Sequence, residues 1–498
     1  MRRLYVLFPV LLVFLAACNM PRREGVSVPD PTLSLSIPTP TLGGLPTGPN
    51  PGDEVPPAVS GLVTGDIETP YLGIHLSDYR SHEQLAYFEN SGARWSRFDR
   101  FYWDMIEPVP QTPAVYDWNS VDESGLAQAT ERGIDTIGII LFAPPYAQKN
   151  PGSVCGPIAE DQLERFSGFL NALVTRYSQP PFNVKYWEIG NEPDVYFAVP
   201  NRDGFGCWGD PNDPYFGGGY YAQMLKFAYP MIKAADPLAE VLIGGLLLDC
   251  DPRFPPETSP GSGEFKDCTP ALFLEGILEN GGADFFDGIS FHAYDYYAFG
   301  EGKYSNSNWH SQSETNGPVS IPKASYLLER LDVHGVTGKY LLNTESAVIC
   351  GRDGTDPGCQ TEEFSRTKAA YTVHSNTIAF QLGLRANIWY SLTGWRASEL
   401  LDNSYTPLPA YFAYRFNANI LANAAFERQI LDYPHMFIYE FDTGSGMIWI
   451  LWSRSGETES VLLPAVPMDI FDMYGNSINS TQEVSTNYAP LYIVFNNQ

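Results

Sequence analysis

The segment VKYWEIGNEPD, residues 184–194, runs from strand-forming residues directly into an Asn-Glu-Pro turn. A second segment, KYLLNTES at 339–346, is built in the same way and carries Glu345 where its apolar run stops. Runs of this kind, bounded by turn residues, predict two strands that end near Glu192 and Glu345. If both strands are parallel members of one sheet, the two carboxylates lie at the same edge and can share a cleft.

Six more strand candidates, separated by helix-like stretches, extend this pattern from residue 70 to about residue 420. The stretches at 160–177 and 220–236 carry apolar residues at three- and four-residue spacing, which is typical of amphipathic helices. Eight such units predict an α/β fold, the (β/α)8 TIM barrel. A doubly wound sheet is the alternative, and the lack of a GxGxxG loop after the first strand speaks against it. The predicted strands are YLGIH (centred on 72), ARWSRFD (93–99), DTIGIILF (135–142), VKYWEIG (184–190), EVLIGGL (240–246), FFDGISFH (285–292), KYLLNTE (339–345) and RANIWYS (385–391).

The first 18 residues, MRRLYVLFPVLLVFLAAC, combine two arginines, an apolar run and small residues before Cys18. This pattern is typical of a secretory signal, and Leu-Ala-Ala-Cys resembles the lipobox of bacterial lipoproteins, in which the cysteine is lipidated. An ordinary signal peptide with a chance cysteine is the alternative, but the cysteine stands where cleavage is expected. We therefore predict an exported protein that is held by lipid on a bacterial membrane and faces outward.

Three segments follow this signal peptide at 1–18. Residues 19–66 are rich in Pro, Thr, Ser and Gly and lack apolar periodicity, which predicts a disordered tether. Residues 67–422 contain the predicted barrel. Residues 423–498 consist of short strands and turns, which predict a small, β-sandwich-like accessory domain of antiparallel strands.

The charge and cysteine content narrow the classes of partner. Lys and Arg number 30 against 58 Asp and Glu, a formal net charge of −28, and no basic patch occurs, so we expect no nucleic acid partner. No His/Cys spacing suggests a metal site, and we expect no cofactor. Six cysteines remain beside Cys18, an even number that suits disulfides in an exported chain better than free thiols. Proximity alone predicts the pairs Cys155–Cys207, Cys250–Cys268 and Cys350–Cys359.

Polar residues cluster at the predicted C-terminal strand ends, where barrel enzymes build their active sites. A single glutamate at such an end is usually a surface or capping residue. Two carboxylates across one cavity are instead what glycoside cleavage needs, one as the acid and one as the nucleophile. The residues at these ends are His75, Arg97, Asp99, Asn191, Glu192, His292, Tyr294, Glu345 and Trp389.

The motifs WEIGNEP (187–193) and NTES (343–346) resemble those of the clan A retaining glycoside hydrolases, in which Asn-Glu ends strand four and a second Glu ends strand seven. The resemblance covers about residues 70–420, and the tail looks like the accessory β domain of family 39-like members. Other segments agree with it: ARWSRFDRFYWDMIEP (93–108), YDW (116–118), APPYA (143–147) and ISFHAY (289–294).

The resemblance implies that Glu192 is the general acid/base and Glu345 the nucleophile. It also implies that Arg97 and Tyr294 hold Glu345 ionised, that Asn191 binds the sugar's 2-hydroxyl, and that His292 shapes the subsite of the cleaved sugar. The full set of supporting or substrate-binding residues is Arg97, Asn191, His292, Tyr294, Trp389 and His75.

Local electrostatics and strand geometry give two further expectations. The guanidinium of Arg97 should lower the pKa of Glu345, whereas poorer solvation should raise the pKa of Glu192. By strand alternation we expect Glu188 to point the other way, as a structural group or as one that supports the site from behind.

The function predicted is that of a cell-surface lipoprotein that hydrolyses O-glycosidic bonds of a poly- or oligosaccharide with retention. Its partners would be the carbohydrate and, through the lipid, a membrane. The alternative is a solute- or glycan-binding lipoprotein without catalysis.

Overall fold

The computed structural model describes residues 71–196, 206–351 and 356–496. The predicted signal peptide with Cys18 and the tether at 19–66 lie outside the described residues. No helix within the described ranges is long and apolar enough to cross a membrane.

Eight parallel strands form a closed barrel, because each pairs with the next and the eighth pairs with the first. The predicted TIM barrel is confirmed, since a doubly wound sheet would have two open edges. The strands are β1 Tyr71–Ile74, β2 Trp95–Tyr102, β3 Asp135–Leu141, β4 Tyr186–Asn191, β5 Glu240–Leu246, β6 Gly288–Tyr297, β7 Tyr340–Ile349 and β8 Ala386–Trp389.

One α-helix of seven residues or more follows each strand. Several begin at a side-chain cap, such as Ser81, Asp122 or Thr361, which accepts a hydrogen bond from the first helical turn. These helices are α1 His82–Ser91, α2 Glu123–Glu131, α3 Leu163–Tyr177, α4 Gly218–Ala235, α5 Phe273–Glu279, α6 Ser320–Val333, α7 Glu362–Gln381 and α8 Pro409–Ile420. Shorter helical turns span Trp103–Ile106, Trp118–Ser120, Pro145–Ala147, Glu160–Gln162, Thr269–Leu272, Ala283–Phe285, Ser307–Trp309 and Pro357–Gln360.

The strands β6 and β7 are longer than the sequence predicts. They stay paired as far as Tyr296 and Ile349, and the short strands Tyr304–Asn306 and Ser311–Gln312 add to β6 in antiparallel fashion. The prediction that the seventh strand ends at Glu345 is therefore wrong, because cross-strand pairing carries both strands above the barrel rim. Glu345 lies inside a strand, with four more strand residues above it.

The C-terminal residues form a six-stranded antiparallel sheet and a two-stranded one. Apolar side chains from both sheets, including Leu451, Val461 and Val484, make a separate core. Trp452 instead packs on the barrel, where it stacks on His374 of α7 at 4.2 Å between ring centroids. The larger sheet consists of β9 Ala425–Gln429, β10 Met436–Asp442, β11 Gly446–Ser453, β13 Asp469–Phe471, β14 Ser477–Ile478 and β16 Leu491–Asn496, and the smaller of β12 Glu459–Leu462 and β15 Glu483–Thr486.

Three disulfides join the loops that leave the C-terminal ends of the strands. They are Cys155–Cys207, Cys250–Cys268 and Cys350–Cys359, the pairs that proximity in sequence predicts. The first ties the loop after β3 to the loop after β4, and the others close single loops after β5 and β7. All three therefore brace the face of the barrel on which a TIM barrel carries its active site.

Candidate active site

The carboxylates of Glu192 and Glu345 meet above the barrel core, with His292 between them. One oxygen of each carboxylate and one ring nitrogen all lie within 4.8 Å of one another. Both glutamates are buried, with 4% and 8% of their surfaces exposed. Residues 184–194 and 339–346 thus converge on a single site.

Two donors hold the carboxylate of Glu345. Nη1 of Arg97 donates to Oε1, and the hydroxyl of Tyr294 donates to Oε2. Arg97 is almost fully buried, and its Nη2 also donates to Glu188 and, at 2.9 Å, to Oδ1 of Asn191. One guanidinium therefore orients the side chains of three residues from two different strands.

Glu188 does not point away from the site. It faces the barrel interior, where Arg97 and the backbone N–H of Gly245, at 3.1 Å, donate to it. The expectation from alternation was wrong because Glu188 and Tyr186 share the interior face, the latter packing in the apolar layer below. Glu188 is thus a buried anion below the site that pairs with Arg97.

A bulge in β7 aims Glu345 into the barrel. Asn343 pairs with Phe291 but Glu345 pairs with the next residue, His292, which leaves Thr344 as an extra residue. The ladder to β8 shifts at the same place. Beyond the bulge, Ser346 faces α7, where its hydroxyl lies 2.8 Å from that of Ser375. The neighbouring Glu345 consequently faces the interior.

Glu192 is held by its backbone and by one carboxylate oxygen. Its backbone N–H donates to Gly245 at 2.9 Å, and its φ of +50° lies in the left-handed region, which costs a non-glycine residue about 1–2 kcal/mol. Oε1 lies 2.8 Å from Nδ1 of His292. Among the described residues, the buried Oε2 has no hydrogen-bond partner. This oxygen is the one available to a bound molecule.

His292 lies against both carboxylates, in surroundings that favour the neutral form of its ring. Its Nδ1 is 3.4 Å from Oε2 of Glu345 as well as close to Glu192. Burial, and then the nearby Arg97 and Lys323, lower its pKa well below the usual range. Gly245 makes room for the ring, because a Cβ there would overlap Nε2.

Burial raises the pKa of both glutamates. For Glu192 the pKa lies well above the usual range, because burial is reinforced by the charges of Glu345 and Asp194. For Glu345 burial also outweighs the opposing effects of Arg97 and Tyr294, so its pKa is raised. The expected lowering was wrong, since the sequence could show the arginine but not the depth of burial.

A buried lysine, Lys323 of α6, underlies the site. Its ammonium donates to the carbonyls of Leu247, at 2.6 Å, and His292, at 2.8 Å, and burial lowers its pKa to about 8. Its charge opposes the rise in the pKa of Glu192. The sequence does not indicate this role, because a lysine in an amphipathic helix is usually a surface residue.

The remaining predicted residues divide between the site and its surroundings. The ring of His75 lies 4.7 Å from Tyr390, between centroids, and burial lowers its pKa to about 4. Asp99 is partly exposed near Arg100 at the rim. Trp389 lies apart from the carboxylates: its ring contacts Tyr371 of α7, and its N–H donates to Ser398 at 2.9 Å.

Two further aromatic residues, Tyr390 and Trp395, pack next to Tyr294. Ring centroids of Trp395 lie 5.2 Å from Tyr294 and 5.3 Å from Tyr390. Alternation along β8 could have revealed Tyr390, since Ala386 and Ile388 belong to the interior layer and position 390 continues their face. Trp395 lies in a loop, for which alternation gives no orientation.

The donor set also has the geometry of a metal site, and Arg97 already pairs with one of its carboxylates. Glu192, His292 and Glu345 each offer one ligand atom, and Arg97 supplies the positive charge against Glu345. A second group with ligand geometry lies on the outer surface, made by Glu275, Glu279 and His334, where Arg330 pairs with the first of these.

No family model and no curated protein sequence matches this chain. Solved structures do match it. A family 39 glycoside hydrolase from the gut symbiont Bacteroides cellulosilyticus WH2 superposes with a TM-score of 0.62 at 18% identity, covering 86% of this chain and 81% of that chain. This chain therefore shares its fold with a solved glycoside hydrolase.

Other solved glycoside hydrolases share this barrel. A monomeric beta-xylosidase from Caulobacter crescentus CB15 has a TM-score of 0.55 at 14% identity, covering 88% of this chain and 97% of that one. A family 30 endoxylanase from Clostridium papyrosolvens C71 has a TM-score of 0.53 at 12% identity, with 88% and 98% covered. The resemblance to clan A is thus confirmed at the level of the fold.

Proposed function

We propose that this protein is a retaining glycoside hydrolase that acts on a poly- or oligosaccharide, exported and anchored through lipid on Cys18. The observation that carries the proposal is that one oxygen of Glu192 and one oxygen of Glu345 lie within 4.8 Å of each other, which favours the shorter of two known carboxyl spacings. Retaining enzymes hold their carboxyl groups about 5–5.5 Å apart, whereas inverting enzymes need about 6.5–9.5 Å to admit a water molecule. The disulfides support export, because such bonds persist in oxidising compartments.

In the first step, Glu192 gives its proton to the glycosidic oxygen, and that bond to the anomeric carbon breaks. An oxygen of Glu345 forms the new bond to this carbon, which yields a covalent glycosyl-enzyme and releases the aglycone. In the second step, Glu192 takes a proton from water, and the oxygen of that water displaces Glu345. The two inversions give net retention of configuration.

The surroundings of the two glutamates suit these roles. Arg97 and Tyr294 stabilise the carboxylate of Glu345 before attack and again as it leaves. The pKa of Glu192 is raised more strongly, so this residue is the one better suited to donate a proton. We therefore assign Glu345, whose carboxylate pairs with Arg97, as the nucleophile and Glu192 as the acid.

Neighbouring side chains would direct the proton and the sugar. We assign the single proton of neutral His292 to Nδ1, where it donates to Oε1 of Glu192. The acidic proton then sits on Oε2, the oxygen without a protein partner among the described residues. Arg97 orients the amide of Asn191, the side chain that we expect to contact the sugar's 2-hydroxyl.

The test combines aryl glycosides with two variants. Glu345→Ala should lose nearly all turnover, because no covalent intermediate can form. Glu192→Ala should lose about 10²–10⁴-fold on poor leaving groups and far less on activated ones, which need little proton donation. Azide should restore part of the Glu192→Ala activity and give a glycosyl azide of retained configuration.

The control is Glu279→Ala, which removes an exposed carboxylate on α5 and should leave turnover unchanged. A glycan-binding lipoprotein without catalysis would bind oligosaccharides but release no sugar from any aryl glycoside or polysaccharide. That result for the unmodified protein would refute the proposal.

A further inference from the structure

Aromatic side chains continue outward from the site along the extension of β6. His292, Tyr294 and Tyr296 stand on one face of this strand, and the first two border the carboxylates. Tyr296 lies about 6.6 Å further along the strand than Tyr294, roughly the length of one sugar residue. It is 43% exposed, although it is a large ring next to a buried site.

The loop after β8 supplies the other half of this surface. Trp395 is 37% exposed, and its ring contacts Tyr294 at 5.2 Å between centroids. The guanidinium carbon of Arg396 lies 5.6 Å from the ring centroid of Tyr296 and 5.2 Å from that of Trp395. Arg396 thus lies between the two exposed rings, and we call these three side chains the aromatic platform (Tyr296, Trp395 and Arg396).

The end of β7 holds this platform in place. Nε of Arg396 donates to the carbonyl of Gly351 at 2.7 Å, and its own carbonyl accepts from the N–H of Cys350 at 3.1 Å. Cys350 is in turn fixed by its disulfide to Cys359. The platform is therefore pre-organised, because Nε and Nη2 of Arg396 both donate to the carbonyl of Gly351.

The platform lies on the nucleophile's side of the site. Tyr294, from which it extends, bonds Glu345, whereas Glu192 comes from β4 on the other side. In a retaining glycosidase the sugar that attaches to the nucleophile is the glycone, and the acid stands next to the leaving group. A ring platform at this place would contact the next sugar on the non-reducing side.

We propose that the aromatic platform is a second glycone subsite, which binds a neutral sugar residue linked to the one that is cleaved. This inference rests on the proposed function. Sugar C–H faces stack on flat rings, and the chain's net charge of −28 disfavours an anionic sugar. The substrate is accordingly a chain of at least two sugars ahead of the cleaved bond.

The experiment compares 4-nitrophenyl β-D-xyloside with the β-D-xylobioside, and the glucoside with the cellobioside. Tyr296→Ala should lose about tenfold more kcat/KM on the disaccharide glycoside than on the monosaccharide glycoside, since one stacked ring contributes about one factor of ten. Tyr296→Trp should restore the disaccharide preference. The matched control is Phe412→Ala on α8, a ring of similar exposure (40%) that packs on the barrel's outer layer, which should change neither ratio.

Each outcome decides the inference. Equal losses on both substrate lengths, or no rescue by Tyr296→Trp, would overturn the second subsite while hydrolysis itself still supports the proposed function. If the unmodified protein cleaves no glycoside, the proposed function fails. Calorimetry with xylotetraose and cellotetraose then tests the second subsite. Weaker binding of the tetrasaccharide by Tyr296→Ala than by Phe412→Ala supports the subsite, and equal or undetectable binding in the two variants overturns it.

Discussion

Tyr294→Phe removes one hydroxyl from the site and leaves the ring in its packing. That hydroxyl donates to Oε2 of Glu345, while the ring is held by contacts with Trp395 and Tyr390. A hydrogen bond to a charged group contributes about 1.5–3 kcal/mol. Because the ionised carboxylate receives this stabilisation, its loss raises the pKa of Glu345 by about 1–2 units.

The direction of the pH effect follows from the role of Glu345. Attack needs the ionised carboxylate, so the acid limb of the kcat/KM profile lies at its pKa, which burial already raises above the usual range. The variant should therefore lose activity on the acid side first, and its acid limb should move to higher pH. The alkaline limb, set by protonated Glu192, should move much less.

The assay is the pH profile of kcat/KM for 4-nitrophenyl β-D-xyloside. Tyr297→Phe is the control. Tyr297 lies on the opposite face of β6 from Tyr294, and its ring packs on Phe364, at 5.0 Å between centroids. A uniform fall in rate with an unmoved acid limb, or an acid limb at lower pH, would refute the reasoning that Tyr294 stabilises ionised Glu345.

Three other changes test separate parts of the structure. Gly245→Ala should lower kcat/KM by about 10²-fold, because the new methyl group displaces the ring of His292 that it would overlap. Lys323→Met should raise the pKa of Glu192 and move the alkaline limb of the pH profile upward, because it removes a buried cation that lowers this pKa. Cys18→Ala should move the protein from the detergent phase to the soluble fraction, if the lipobox prediction holds.

Matched variants sharpen two of these tests. Gly168→Ala in α3 adds a methyl group with no atom within 4 Å and should leave activity unchanged. Lys368 is as buried as Lys323 and also donates to two carbonyls, those of Ala397 and Glu399. The alkaline limb of the pH profile should therefore not move in Lys368→Met. An unmoved limb in Lys323→Met, or equal shifts in both lysine variants, would contradict the electrostatic role. Unchanged partitioning of Cys18→Ala would rule out lipidation.

The barrel and its carboxylate pair could be predicted because both leave short-range signals. The sequence shows runs of strand-forming residues that lead into Asn191-Glu192 and into Glu345. Parallel strands bring such positions to one edge of a sheet. The interior face of β8 was also within reach, since counting in twos from Ala386 arrives at Tyr390 rather than Trp389.

Other features depend on contacts that no local pattern encodes. The bulge at Thr344 arises from the pairing of β7 with both neighbours, and it alone sets the direction of Glu345. The extension of β6 to Tyr297 likewise follows from pairing with β7 above the rim. The raised pKa of Glu345 reflects burial, which belongs to the assembled barrel and not to the residues near Arg97 in the chain.

The central claim is that Glu345 is the nucleophile of a retaining enzyme with Glu192 as its acid. NMR of the first-formed product, recorded before mutarotation, tests it most directly, with an aryl glycoside or oligosaccharide that the protein cleaves. We expect the anomer of the substrate to appear first, and mass spectrometry of a trapped glycosyl-enzyme to place the sugar on Glu345. An inverted first product, or a sugar attached elsewhere, would contradict the assignment.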